Sequence, residues 1–185
     1  ANMNTFLGNL ITHLKKIDPR HKYTSAAGWP AIPENDYNND MYPRINVWYA
    51  GLNSHINANR PSTDYNWFEI IDKYDHPYVA HESGNWCVYP NFKEIDKYDG
   101  CVVRAKNFEV FQEMLADNGL SDLAETYLQA SGQLQALCWK AEFEAALRTP
   151  DFAGLQILSL SDFPGQGTAL VGVLDAFWEE KGYIA

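Results

Sequence analysis

The stretch His76-Pro-Tyr-Val-Ala-His-Glu-Ser-Gly-Asn-Trp86 decides how this chain is read. Tyr78-Val-Ala is a short apolar run that predicts a buried strand. The run stops on His81 and Glu82 and breaks at Ser83-Gly84. A carboxylate at the C-terminal lip of a parallel strand is where α/β enzymes place their chemistry. Trp86 and Tyr89 follow at once, and their flat apolar faces suit sugar rings; packing inside a loop is the other use for such rings. A second strand end, Leu155-Gln-Ile-Leu-Ser-Leu-Ser-Asp162, repeats the plan: an apolar run, a carboxylate, then glycine-rich sequence.

Working outward, the periodicity of Phe6, Leu7, Leu10, Ile11, Leu14 and Ile17 predicts an amphipathic helix over 4–17, ended by Asp18-Pro19. Short strands are expected at 21–26 and 45–49. Loops rich in Pro, Asn and Asp are expected at 28–43 and 51–63. A helix over 64–74 precedes the Glu82 strand, and irregular chain follows it over 86–103. Two helices are expected at 106–117 and 121–147, with Ser121 as an N-cap and Thr149-Pro150 as the stop. A strand at 155–160 and a closing helix over 170–180, stopped by Gly182, complete the order. Strands alternating with helices predict an α/β fold with a parallel sheet. Four strands do not close a barrel, and a parallel sheet needs both faces covered. The chain therefore reads as a partial (β/α)8 TIM barrel, roughly strands five to eight with their helices, with residues 1–185 forming a single unit cut from a longer protein.

The 185 residues suffice for one packed domain, and a hydrophobic fraction of 46 % excludes disorder. Fourteen basic residues against 24 acidic ones give a net charge of −10, which disfavours nucleic acid and anionic membrane surfaces. No run approaches a membrane span. The three cysteines, Cys87, Cys101 and Cys138, lack CxxC spacing, and His13, His21 and His76 lack ligand spacing, so neither a metal nor a cofactor is expected. A Cys87–Cys101 bridge is left open; the odd count leaves at least one thiol free.

Several blocks resemble a known family. Asp18-Pro-Arg-His-Lys-Tyr-Thr-Ser25, Gly28-Trp29, His81-Glu-Ser-Gly84, Ala130-Ser-Gly-Gln-Leu-Gln135, Leu147-Arg-Thr-Pro150 and above all Ser161-Asp-Phe-Pro-Gly-Gln-Gly-Thr-Ala-Leu-Val-Gly-Val-Leu-Asp175, with Phe177-Trp178 and Lys181-Gly182, carry it. Together they resemble the C-terminal half of the catalytic barrel of glycoside hydrolase family 2, in its large Bacteroidetes β-galactosidase-like form. The resemblance implies a retaining β-glycosidase acting on terminal β-glycosides, foremost β-galactosides. It implies Glu82 as nucleophile, a carbohydrate substrate, and a periplasmic or secreted parent. The family's acid/base glutamate follows strand four in an Asn-Glu pair. No such pair precedes the first helix here, so the resemblance places that residue upstream and implies an inactive isolated chain. Asp162-Phe163 stands where the family usually has a strand-eight tryptophan.

Residue by residue, a strand-end carboxylate such as Glu82 serves as nucleophile, caps a helix or pairs with an arginine. His81 contacts a sugar hydroxyl or orients Glu82, although strand alternation points the two to opposite faces. Trp48 and Tyr49 sit where this fold contacts substrate, with one of them turned to the helices. Trp86 is a candidate sugar platform. Asp162 hydrogen-bonds a sugar hydroxyl pair or opens the turn at Pro164. Asn53 and His55 are further subsite candidates, Arg148 reads as structural, and Gly165-Gln-Gly167 permits a tight turn rather than a phosphate loop. The competing expectation is a non-catalytic, carbohydrate-binding half-barrel, or one whose exposed edge and face pair with a second copy as a homodimer.

Overall fold

A computed structural model describes residues 2–47, 50–167 and 169–183. In chain order the elements are helix α1 (Met3–Ile17), strand β1 (Asn38–Asp40), one-turn helices α2 (His55–Ala58) and α3 (Phe68–Ile71), strand β2 (Tyr78–Ser83), helix α4 (Lys106–Asp117), helix α5 (Ala124–Arg148) and strand β3 (Phe152–Ile157). Short 3-10 turns fill several connections. The fold is mixed α/β with a small parallel sheet of order β1-β2-β3. The chain divides into two compact units: residues 1–83 with 141–157, and residues 84–140 with 158–185.

The first unit carries the sheet. Asn38 of β1 lies opposite Tyr78, and Ala80 of β2 lies opposite Leu155 of β3. Ile71, Tyr78 and Ala80 form the buried centre, with Tyr74, Phe152 and Leu155 packed against them. Tyr78 meets Tyr74 and Phe152 edge-on or tilted, at ring separations of 5.0 and 5.5 Å. α1 is capped by the Asn2 side chain, which accepts from the Asn4 N–H at 3.1 Å. Lys15 ties its end to Asp36 at 2.9 Å. Gly8 and Ile11 are its only buried residues, whereas Met3, Phe6, Leu10 and Ile17 form an exposed apolar stripe.

The second unit is built on α4 and the first part of α5. Val88, Ala105, Phe108, Leu128 and Leu170 form its apolar core, with Phe92, Ile95, Tyr98 and Tyr183 packed around it. Beside that core lie buried Glu94, Gln135, Asp162, Asp175 and Lys181.

The sequence-based expectations need five corrections. Residues 21–26 form no strand. Their N–H groups turn to side chains instead, Tyr23 to Asp36 at 2.9 Å and Ser25 to Asn35 at 2.8 Å. The first strand falls inside the expected loop, at Asn38–Asp40. Of the strand expected at 45–49, residues 45–47 are irregular and Trp48 and Tyr49 lie outside the described residues. The 64–74 helix shrinks to α3, and the 170–180 helix is absent. Leu174 there bridges Ser161 in parallel and Glu180 in antiparallel sense, which a helix forbids. Cys87, Cys101 and Cys138 are free thiols, so the bridge left open by the sequence is not formed. Among the described residues, no helix is long and apolar enough to cross a membrane.

Candidate functional site

β2 is the central strand, and its final residues leave regular geometry. The register shifts between Ala80 and Ser83, and Glu82 takes φ +54°, a left-handed conformation that costs a non-glycine residue on the order of 1–2 kcal/mol. That reversal breaks the two-residue alternation. Glu82 and His81, expected on opposite faces, are instead neighbours: His81 Nε2 lies 3.4 Å from Glu82 Oε1. Both remain part-exposed, with side chains 26 and 30 % accessible.

Three elements converge on this pair. Arg44, from the segment after β1, is buried. Its Nη2 donates to the His81 carbonyl at 2.9 Å and stands 3.9 Å from Glu82 Oε2. Burial pulls the Arg44 guanidinium below its ordinary value, against the opposing charges of Glu142 and Glu82. Glu142, itself buried on α5, accepts from the Ile45 N–H at 3.3 Å. From β3, Gln156 Oε1 lies 3.0 Å from His81 Nδ1 and accepts from Asn39 Nδ2 of β1 at 3.1 Å. A polar row therefore crosses all three strands beside Glu82. Asp40, at the end of β1, accepts from Tyr74 Oη at 3.2 Å and from the Met41 N–H at 2.6 Å.

A cavity of about 510 Å³ lies elsewhere in the first unit, among Phe68, Ile71, Tyr74, Tyr78, Asp151 and Phe152. Tyr78 and Phe152 begin their strands, so this hollow lies at the N-terminal ends of β2 and β3. Open parallel α/β sheets bind ligands beyond the carboxyl ends of their strands, the end of β2 that carries Glu82.

Trp86, Tyr89 and Asp162 belong to the second unit. Gly84 takes φ +90°, and its carbonyl accepts from Trp139 Nε1 at 2.9 Å; a Cβ here would collide with the Trp139 indole. Trp86 is half-buried. Its carbonyl accepts from Gln135 Nε2 at 2.6 Å, and its indole N–H is buried with no hydrogen-bond partner among the described residues. Tyr89 packs against Phe92, Phe111 and Tyr127. Asp162 is 6 % exposed; Oδ1 accepts from the Gly172 N–H at 2.9 Å and Oδ2 meets Lys181 Nζ at 2.6 Å, so the chain's own groups occupy it. Burial still holds the Asp162 carboxyl above its ordinary value, against the pull of Lys181.

His55, another subsite candidate, packs tilted against Tyr65 with ring centroids 4.1 Å apart, and Arg148 Nε donates to the Tyr65 carbonyl at 3.2 Å. Among the described residues, no group of three or more His, Cys, Asp or Glu is placed to hold a metal ion. Arg44, Asn39 and Gln156 escaped the sequence reading. Gln156 carried a faint signal, a polar residue inside an apolar strand run; Arg44 carried none, because its approach to Glu82 depends on the fold.

No protein-family model and no curated protein sequence matches this chain.

Proposed function

We propose that this chain supplies the nucleophile half of a retaining β-glycosidase, acting on terminal β-glycosides and foremost β-galactosides, with Glu82 as the attacking carboxylate. One observation carries the reading. A part-exposed glutamate ends the central parallel strand in a left-handed backbone conformation, flanked by a buried arginine at 3.9 Å and a histidine at 3.4 Å. Strained backbone at a strand end is a recurrent mark of functional residues. The buried Arg44 guanidinium places an opposite charge beside that carboxylate.

The chemistry follows the two-carboxyl scheme. A Glu82 oxygen forms a bond to the anomeric carbon as the bond to the leaving oxygen breaks, and a second carboxyl about 5–5.5 Å away protonates that oxygen. The same group then takes a proton from water, whose oxygen displaces Glu82. In this proposal the second carboxyl lies in chain upstream of residue 1, so the 185-residue chain alone turns over no aryl β-glycoside. His81, Trp48 and Tyr49 are proposed to contact the sugar, His81 having the most direct claim as the neighbour of Glu82.

The test is trapping of the longer parent with a 2-deoxy-2-fluoro β-glycoside, followed by mapping of the labelled peptide. Label on Glu82, lost in Glu82→Gln, is the expected result; label on any other residue refutes the assignment. A second reading, a non-catalytic half-barrel that pairs with itself, is favoured by the exposed stripe Met3, Phe6, Leu10 and Ile17. Light scattering of the chain separates monomer from homodimer.

A further inference from the structure

We infer that Gln156 is a positioning residue, fixing the His81 imidazole with its proton on Nδ1 and its Nε2 turned to Glu82. The positioning role rests on the glycosidase reading; the tautomer rests on contacts alone. Gln156 Oε1 receives the Asn39 Nδ2–H at 3.1 Å and lies 3.0 Å from His81 Nδ1. A carboxamide oxygen has no proton to give, so the bond to His81 exists only if Nδ1 is the donor. Nε2 then faces Glu82 Oε1 at 3.4 Å.

Arg44 bears on the same peptide from the other side, binding the His81 carbonyl and approaching Glu82 Oε2. Glu82 is thereby held at both oxygens, by groups anchored on β3 and on the segment after β1. Its long contacts leave lone pairs open for attack. Because Asn39 holds Gln156 and Gln156 holds His81, the carboxylate is aimed by all three strands. Tying a reactive group's neighbour to an outer layer of hydrogen bonds is how sites fix a ring's tautomer and direction.

The opposite arrangement is chemically defined. With the Gln156 amide reversed, Nε2 would donate to His81 Nδ1, and the imidazole proton would move to its own Nε2. Long-range proton–nitrogen correlation spectra of the 185-residue chain distinguish the two forms. The expected result is a protonated, pyrrole-type Nδ1 at His81, lost in Gln156→Leu and kept in Gln156→Glu, whose carboxylate still accepts. A pyridine-type Nδ1 in the wild type, or a spectrum untouched by Gln156→Leu, overturns the assignment. Gln156 is exposed, so neither variant threatens folding.

In the parent, Gln156→Leu is expected to slow 2-fluoro-glycoside labelling of Glu82 about tenfold or more, with Gln156→Glu restoring it. Unchanged labelling in Gln156→Leu removes the positioning role. Absence of label on wild-type Glu82 removes the glycosidase reading and leaves the tautomer standing.

Discussion

Lys181 Nζ lies 2.6 Å from Asp162 Oδ2, with the two side chains only 2 and 5 % exposed. The pair also grips one peptide. Asp162 accepts from the Gly172 N–H and Lys181 donates to the Gly172 carbonyl at 2.8 Å, closing the 162–181 segment on itself. Burying a charge is tolerable only when it is paired and hydrogen-bonded, and removing one partner strands the other. Lys181→Met is therefore expected to destabilise the chain by about 3–5 kcal/mol. Lys181→Met combined with Asp162→Leu should cost clearly less than the two single losses summed, read from urea midpoints.

Glu94 gives the second unit an unusual pH response. It is 1 % exposed, and burial, reinforced by Asp175 and Asp162 and opposed by Lys181 and Lys97, pushes its carboxyl up to about 7 from 4.5. The folded state thus keeps a proton that the unfolded chain releases. Between pH 4.5 and 7 the native state binds more protons, so stability falls as pH rises, by on the order of 3 kcal/mol across the window. Urea midpoints should be higher at pH 5 than at pH 7.5. Burial pulls the His55 imidazole down, which acts with the opposite sign. The comparison that isolates Glu94 is therefore wild type against Glu94→Gln, in which this slope vanishes.

Gly84 is where the chain leaves β2, and two constraints meet on it. Its φ of +90° disfavours any side chain, and the Trp139 indole that donates to its carbonyl fills the space a Cβ needs. Gly84→Ala is expected to cost about 2–4 kcal/mol, from backbone strain and displacement of the indole together. The unfolding midpoint checks it. A change below about 0.5 kcal/mol, the range of an unconstrained surface position, would refute the packing.

What the sequence revealed follows from how local each signal is. Lys106–Asp117 matches the expected helix because its apolar spacing has one answer, and the helix expected over 121–147 appears as α5 after a 3-10 turn at Ser121–Leu123. β2 was legible because Tyr78-Val-Ala is apolar and ends on punctuation. β1 was not: Asn38-Asn39-Asp40 carries no strand preference and is held by pairing with Tyr78–Ala80 and by contacts from residues distant in sequence such as Gln156 and Tyr74. The 170–180 segment misled because Leu170, Val171 and Leu174 sit at helical spacing. Gly172 packs where a Cβ would meet the Asp162 N at 2.5 Å, a contact outside the segment, and Asp175 turns its side chain to cap the Phe177 and Glu179 N–H groups. The same limit hid half of the candidate site. Glu82 stands at a readable strand end, whereas its flip toward His81 arises from a register shift, and Arg44 and Gln156 arrive from segments 38 residues before it and 74 after it in number.

Gln135 supplies the last prediction. It is 1 % exposed on α5; its amide nitrogen donates to the Trp86 carbonyl at 2.6 Å and the Val171 carbonyl at 2.9 Å, and its oxygen accepts from Tyr183 Oη at 2.6 Å. One side chain thus satisfies two loop carbonyls and a buried phenol, whose titration burial pushes up and out of reach. Gln135→Leu fills the volume but orphans both carbonyls and leaves the Tyr183 hydroxyl only its longer bond to the Gly172 carbonyl at 3.3 Å, an expected loss of about 3 kcal/mol or more. Gln135→Glu keeps the shape and the Tyr183 bond, yet turns a carboxylate oxygen on two carbonyls. It should be at least as destabilising at pH 7 as leucine and recover part of the loss at pH 5, where a protonated acid donates to one of them. Equal midpoints for Gln135→Glu at the two pH values, once the Glu94 slope is subtracted using the wild type, would show that the loop carbonyls do not depend on this donor.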